Sequence, residues 1–174
     1  VIKSYADWGN VMTILVTYFT QTGNTEKVAK AIYEAIGGKK EILPVNEAKN
    51  PDGYDIIFCG FPVHAHSVPL PVQNFIKSIP PSKKLALFVT HGSLRGGELA
   101  TTAIEHAISL ASKLKVLGTF GCRGKVDPKI IEALLKKPEH RAWAETAKSA
   151  ASHPDESDVE DARQFAKKIL TTPH

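Results

Sequence analysis

Residues 20–25 read Thr-Gln-Thr-Gly-Asn-Thr and lie between the apolar run MTILVTYF (12–19) and the helical stretch EKVAKAI (26–32). The six positions hold small hydroxyls, amides and a glycine, with no lysine or arginine. A strand followed at once by a helix puts such a segment at the carboxyl edge of a sheet. There the first amide N–H groups of the helix have no intrahelical acceptor and carry partial positive charge. An anion docks at such an end without a basic side chain. Thr20, Thr22 and Thr25 add hydroxyl donors, and Gly23 allows close backbone approach or a positive φ. The stretch reads as a phosphate cradle. The competing reading is a plain strand–helix turn in which Asn24 or Thr25 only caps the helix.

Working outward, residues 13–19 are β-branched and aromatic and read as a buried strand. Val28, Ala31, Ile32, Ala35 and Ile36 recur at helical spacing, and Gly37-Gly38 ends that helix. Residues 40–45, 54–59, 85–90 and 116–120 read as further strands, the first at an edge because of Pro44. Helical periodicity predicts a short helix over Val72–Ile79 and a long one striped by Leu99, Ala103, Ala107, Leu110, Ala111 and Leu114. Asp127-Pro128 reads as a helix start, residues 138–153 as partly helical, and Ser157-Asp158-Val159-Glu160 as the capping box of a last helix. Alternating strand and helix specify a parallel sheet with helices on both faces, joined by right-handed crossovers.

The 174 residues suffice for one domain with its own core. A formal net charge of +4, spread along the chain with no Lys/Arg block among aromatics, gives no nucleic-acid footprint. No apolar run reaches the ~18 residues of a membrane span. Cys59 and Cys122 make no disulfide framework, so the expected setting is the reducing cytoplasm. Met12 directly precedes the first strand, and residues 1–11 are read as an N-terminal extension.

Other phosphate and acid motifs fail. There is no GxGxxG, and Gly118 to Gly124-Lys125 has five intervening residues and Val126 where a P-loop needs Ser or Thr. Neither cysteine begins a Cys-x5-Arg loop, since Ala65 and Pro128 stand where the arginine would be. Asp55 opens its strand, whereas a receiver domain needs an acid at a strand's end.

Three segments together carry a resemblance: VTYFTQTGNTEKVAKAI (16–32), GFPVHAHSVPLPVQNFI (60–76) and THGSLRGGE (90–98). The chain resembles the flavodoxin family over roughly residues 12–170, with Thr17 departing from an expected apolar or aromatic residue. The resemblance implies a three-layer α/β fold: a doubly wound, five-stranded parallel sheet of order 2-1-3-4-5, with FMN at the switch point. It makes residues 12–174 a flavodoxin-like FMN-binding domain. By position, Thr20, Gln21, Thr22, Gly23, Asn24 and Thr25 would hold the FMN phosphate. Pro62, Val63, His64, Ala65 and His66 would line one side of the isoalloxazine, and Thr90, His91, Gly92, Ser93 and Gly97 the other.

The two ring loops offer His64, His66 and His91 but no Trp or Tyr, which implies weaker FMN binding than in a site clamped between aromatics. These histidines could also be weighed as a metal site, but no Asp, Glu or Cys stands beside the His64–His66 pair; packing near the flavin, or plain solvation, suits them better. The basic chain, with Arg95 near the third loop and Glu98 opposing it, implies an easier second reduction than in an acidic relative. Trp143 and Phe165 read as packing residues, and Cys122, near Arg123 and Lys125, as a buried thiol or, alternatively, a redox one. The function so implied is electron transfer between redox partner proteins, as a monomer or small homo-oligomer. The alternatives are an FMN-dependent NAD(P)H:quinone reductase or quinone-linked oxidase, and a binding module that has lost flavin.

Overall fold

Among the described residues the chain forms five strands: β1 (Thr13–Tyr18), β2 (Lys39–Pro44), β3 (Ile56–Pro62), β4 (Lys84–His91) and β5 (Lys115–Arg123). The computed structural model describes residues 11–63, 67–93 and 97–174. All five strands pair parallel, in the order β2-β1-β3-β4-β5. Val16 lies opposite Ile42 on one side and Phe58 on the other. Six α-helices among the described residues accompany the sheet: α1 (Asn24–Ala35), α2 (Leu70–Ser78), α3 (Glu98–Leu110), α4 (Pro128–Leu135), α5 (Arg141–Lys148) and α6 (Glu156–Thr171). The result is the three-layer flavodoxin-like fold with the expected strand order.

Successive side chains of a strand point to opposite faces, so the sheet builds two cores. Ile14, Val16, Phe58, Ala86 and Phe88 pack under α1 and α6. Leu15, Ile57, Cys59, Phe61, Leu85, Leu87 and Val89 pack under α2 and α3. Phe58, Phe61 and Phe88 are fully buried; truncating any of them to Ala costs about 3–5 kcal/mol. Gly60 is required by this packing, because a Cβ there would stand 2.0 Å from the Phe88 ring.

Several details depart from the sequence reading. Between β2 and β3 the alternation lapses: a 3-10 turn, Pro51–Gly53, replaces a helix, since residues 45–55 carry no helical period. β5 runs on to Arg123, and α3 stops at Leu110 with Ala111 as its cap. The capping box of α6 is Asp155 with Asp158, not Ser157 with Glu160. Asp155 Oδ1 accepts from the Asp158 amide at 3.0 Å and Asp158 Oδ2 from the Asp155 amide at 2.9 Å. The Asp158 amide holds the Asp155 carboxyl below its ordinary value. His153 Nδ1 lies 2.5 Å from the same Asp158 oxygen, which fixes the turn entering α6.

Cys59 sits inside β3 and Cys122 inside β5, both fully buried. They belong to cores on opposite faces of the sheet, with β4 between their strands. Burial pushes the Cys59 thiol up to about 12, and the 0% exposure of Cys122 removes the accessible redox thiol as a reading. No helix among the described residues is long and apolar enough to cross a membrane.

The ambiguous stretch after β5 becomes a helical hairpin. α4 starts on Asp127, whose carboxylate accepts from the Lys129 amide at 2.9 Å. A 3-10 turn, Pro138–His140, leads into α5. The hairpin has its own small apolar cluster around Ile131, Ala144 and Ala147.

Candidate functional site

Four chain segments leave the carboxyl ends of β1, β3, β4 and β5 beside one another, where β1 and β3 lead off in opposite directions across the sheet. This is the switch point at which open α/β sheets form their binding crevice. A cavity of about 880 Å³ opens there. Its polar side is made by Gln21, Thr22 and Asn24 after β1 and by Thr90, His91 and Ser93 at the end of β4, with Pro62 and Val63 between them.

The start of α1 settles how residues 20–25 are used locally. Gly23 is the N-cap, at φ 87°, and no side chain caps the helix. Thr20 Oγ1 accepts from the Gly23 amide at 3.0 Å and so braces the turn. Asn24 Nδ2 donates to the Lys125 carbonyl at 2.8 Å. Thr25 and Thr90 share a buried hydroxyl–hydroxyl bond of 2.8 Å. Neither Asn24 nor Thr25 therefore caps α1, and the plain capped turn is not what the chain builds. The amides of Asn24, Thr25 and Glu26 precede the first intrahelical bond, from the Lys27 amide to the Gly23 carbonyl.

The other expected site residues divide by position. Gly92 lines the cavity with His91 and Ser93. Thr20, Gly23, Thr25 and Gly97 are not among its lining residues: the first three shape or brace the cradle, and Gly97 is the N-cap of α3. His64, Ala65, His66 and Arg95 lie outside the described residues, as does Trp8.

The far wall was not expected from the sequence. Gly124, Lys125, Val126 and Asp127 enter the cavity from the segment after β5, and Ile130, Leu134, His140 and Trp143 from the α4–α5 hairpin. Trp143 is thus a cavity residue and not only a packing one, which corrects the sequence reading. Its Nε1 donates to Ser93 Oγ at 3.1 Å. Arg123 secures the same junction: Nε donates to the Ser93 carbonyl at 3.1 Å, and Nη2 to the Thr146 carbonyl at 2.9 Å and Ser149 Oγ at 2.7 Å. His91 Nδ1 lies 3.1 Å from that same Ser93 oxygen. The one signal in the sequence was the pair of adjacent apolar doublets in PKIIEALL, more than a single buried stripe needs.

Fold and site together define a doubly wound α/β domain with an uncapped helix start at its switch point. The flavodoxin domain family matches residues 15–167, and the chain belongs to that family. It is 33% identical over 171 residues to the flavodoxin-like domain-containing protein BilS of Clostridioides difficile, an alignment covering 91% of this chain and 97% of BilS. A short-chain flavodoxin associated with a bacterial microcompartment shares the fold, with a TM-score of 0.63 at 16% identity over 91% of this chain and 97% of that one. An azoreductase of Bacillus anthracis shares it as well, with a TM-score of 0.59 at 12% identity over 90% and 99%. A flavodoxin and an azoreductase therefore share this architecture.

Proposed function

We propose that this chain binds FMN and carries electrons between redox proteins. The carrying observation is the uncapped start of α1 at the edge of a cavity whose opposite wall is apolar. A phosphate monoester suits the first feature, through amide donors and the helix dipole. A flat ring system suits the second, since Val63, Val126, Ile130, Leu134 and Trp143 offer apolar surface. Flavodoxin domains typically bind FMN, which agrees with this donor set.

Bound FMN would supply the redox chemistry. The chain's own residues bind and orient. Gln21, Thr22 and Asn24, on one side of the cavity, would hold the phosphate end, and Thr90, Gly92 and Ser93 would take the ring edge. No catalytic base is needed for electron transfer. The formal charge of +4 favours encounter with an acidic partner, an attraction that weakens as salt screens it.

The test is an absorbance titration of the purified protein with FMN, followed by stepwise reduction. Perturbed flavin bands with an accumulating one-electron-reduced form are expected. Binding followed by direct two-electron bleaching would move the reading to a quinone-type reductase. No spectral change at saturating FMN would overturn both.

A further inference from the structure

We infer that Trp143, presented by α5 from outside the three loops at the carboxyl edge of the sheet, is the aromatic wall against which the flavin ring packs. The inference rests on the FMN reading and adds the residue that the two ring loops lack. Those loops contain no Trp or Tyr, and Phe61, their one other aromatic besides histidine, is fully buried in the core.

Three observations place the indole there. Trp143 lines the cavity and is only partly buried, so some of its surface remains for a ligand. Its ring is oriented by a hydrogen bond from Nε1 to Ser93 Oγ, in the loop that would take the ring edge. That loop also passes directly beneath it. A Cβ at Gly92 would lie 2.5 Å from Val126 Cγ2, in the segment that leads into the hairpin, and in van der Waals contact with Trp143 Cζ2 at 3.4 Å, so Val126 occupies the space a side chain at residue 92 would need and the indole packs directly against that backbone. Ile130, 51% exposed, lines the same cavity. A bound aromatic ring gives this apolar surface a cover that water does not.

Arg123 makes the wall firm. By bonding the Ser93 carbonyl, Thr146 of α5 and Ser149 at the C-cap of α5, it ties hairpin and loop to the end of β5. Trp143 is therefore held in position before a ligand arrives.

The test uses the full chain and two variants, Trp143→Leu and Trp143→Phe, with FMN affinity and the emission of bound FMN as readouts. An indole in contact with a flavin quenches its emission by electron transfer, and a phenyl ring does not. In the wild-type chain, bound FMN is expected to be nearly dark. Trp143→Leu should weaken FMN about tenfold. Trp143→Phe should bind within about threefold of wild type, yet leave bound FMN visibly brighter. Wild-type affinity in Trp143→Leu overturns the inference, and so does full quenching in Trp143→Phe. Either result leaves the FMN reading standing if the wild-type chain binds. A wild-type chain that binds no FMN overturns both. Trp143→Phe preserves an aromatic of similar shape, so the quenching readout stays available if Trp143→Leu misfolds.

Discussion

At the scale of single residues, Thr17 stands apart. It sits in β1 opposite Leu43 and Cys59, fully buried, and its Oγ1 has no hydrogen-bond partner among the described residues. A buried hydroxyl left without a partner costs about 1–3 kcal/mol. Thr17→Val keeps the branched shape and removes the orphan oxygen. It should raise stability by about 1 kcal/mol, or the melting temperature by about 2–4 °C in a chain of this length. Thermal unfolding of the two proteins checks it, and a lowered melting temperature would show that the hydroxyl has a use. Thr17 also shows what was legible. Its departure from an apolar or aromatic residue was visible in the sequence, but its isolation depends on strands brought together from residues 43 and 59. Trp143 was hidden for the same reason. A tryptophan beside Ala144 and Ala147 has the pattern of packing, and only the closure of α5 over Gly92 turns it toward a cavity.

At the scale of elements, the turn into α1 was the most legible feature because its logic is local. Strand, small polar residues and helix follow within a few positions, and the amide end they leave exposed depends on little else. Gly23 is the hinge of that turn. Its φ of 87° lies in the left-handed region, and an added Cβ there would meet nothing within 4 Å. The cost of Gly23→Ala is thus conformational rather than steric crowding by neighbours, and should be about 1 kcal/mol. Gly23→Asn should lose less, since asparagine tolerates that region better. Urea unfolding of the three proteins would rank them Gly, Asn, Ala, and an alanine variant as stable as wild type would contradict the argument. The hairpin was far less legible. α4 and α5 pack chiefly on each other, so their periodicities report mutual contact and say little about the cavity they border. The strand order, too, came from resemblance: the apolar runs specify that strands are buried but not which strand neighbours which.

Across the whole molecule, the contrast between the two sheet cores and the small hairpin cluster predicts two levels of stability. The sheet is covered on both faces by α1, α6, α2 and α3, and those cores contain the fully buried phenylalanines. The hairpin cluster buries only Ile131, Ala144 and Ala147, with Val126, Leu134, Leu135 and Trp143 partly covered. It is held to the body by polar ties from Trp143 and Arg123. Without ligand, residues 128–148 should therefore open more readily than the sheet, as a separate unit. A ligand gripped between the α1 cradle and Trp143 changes this, because opening the hairpin then also breaks the site. With FMN at a hundred times its dissociation constant, the linkage contributes about 2.7 kcal/mol to any opening that releases it. Amide hydrogen exchange should show protection in the hairpin rising by about that amount, so that hairpin and strands draw closer together. The strands themselves should gain the same increment, since global unfolding also releases the ligand. If FMN binds and protects the strands while hairpin amides exchange as before, the hairpin lies outside the binding site and the switch-point loops alone hold the cofactor.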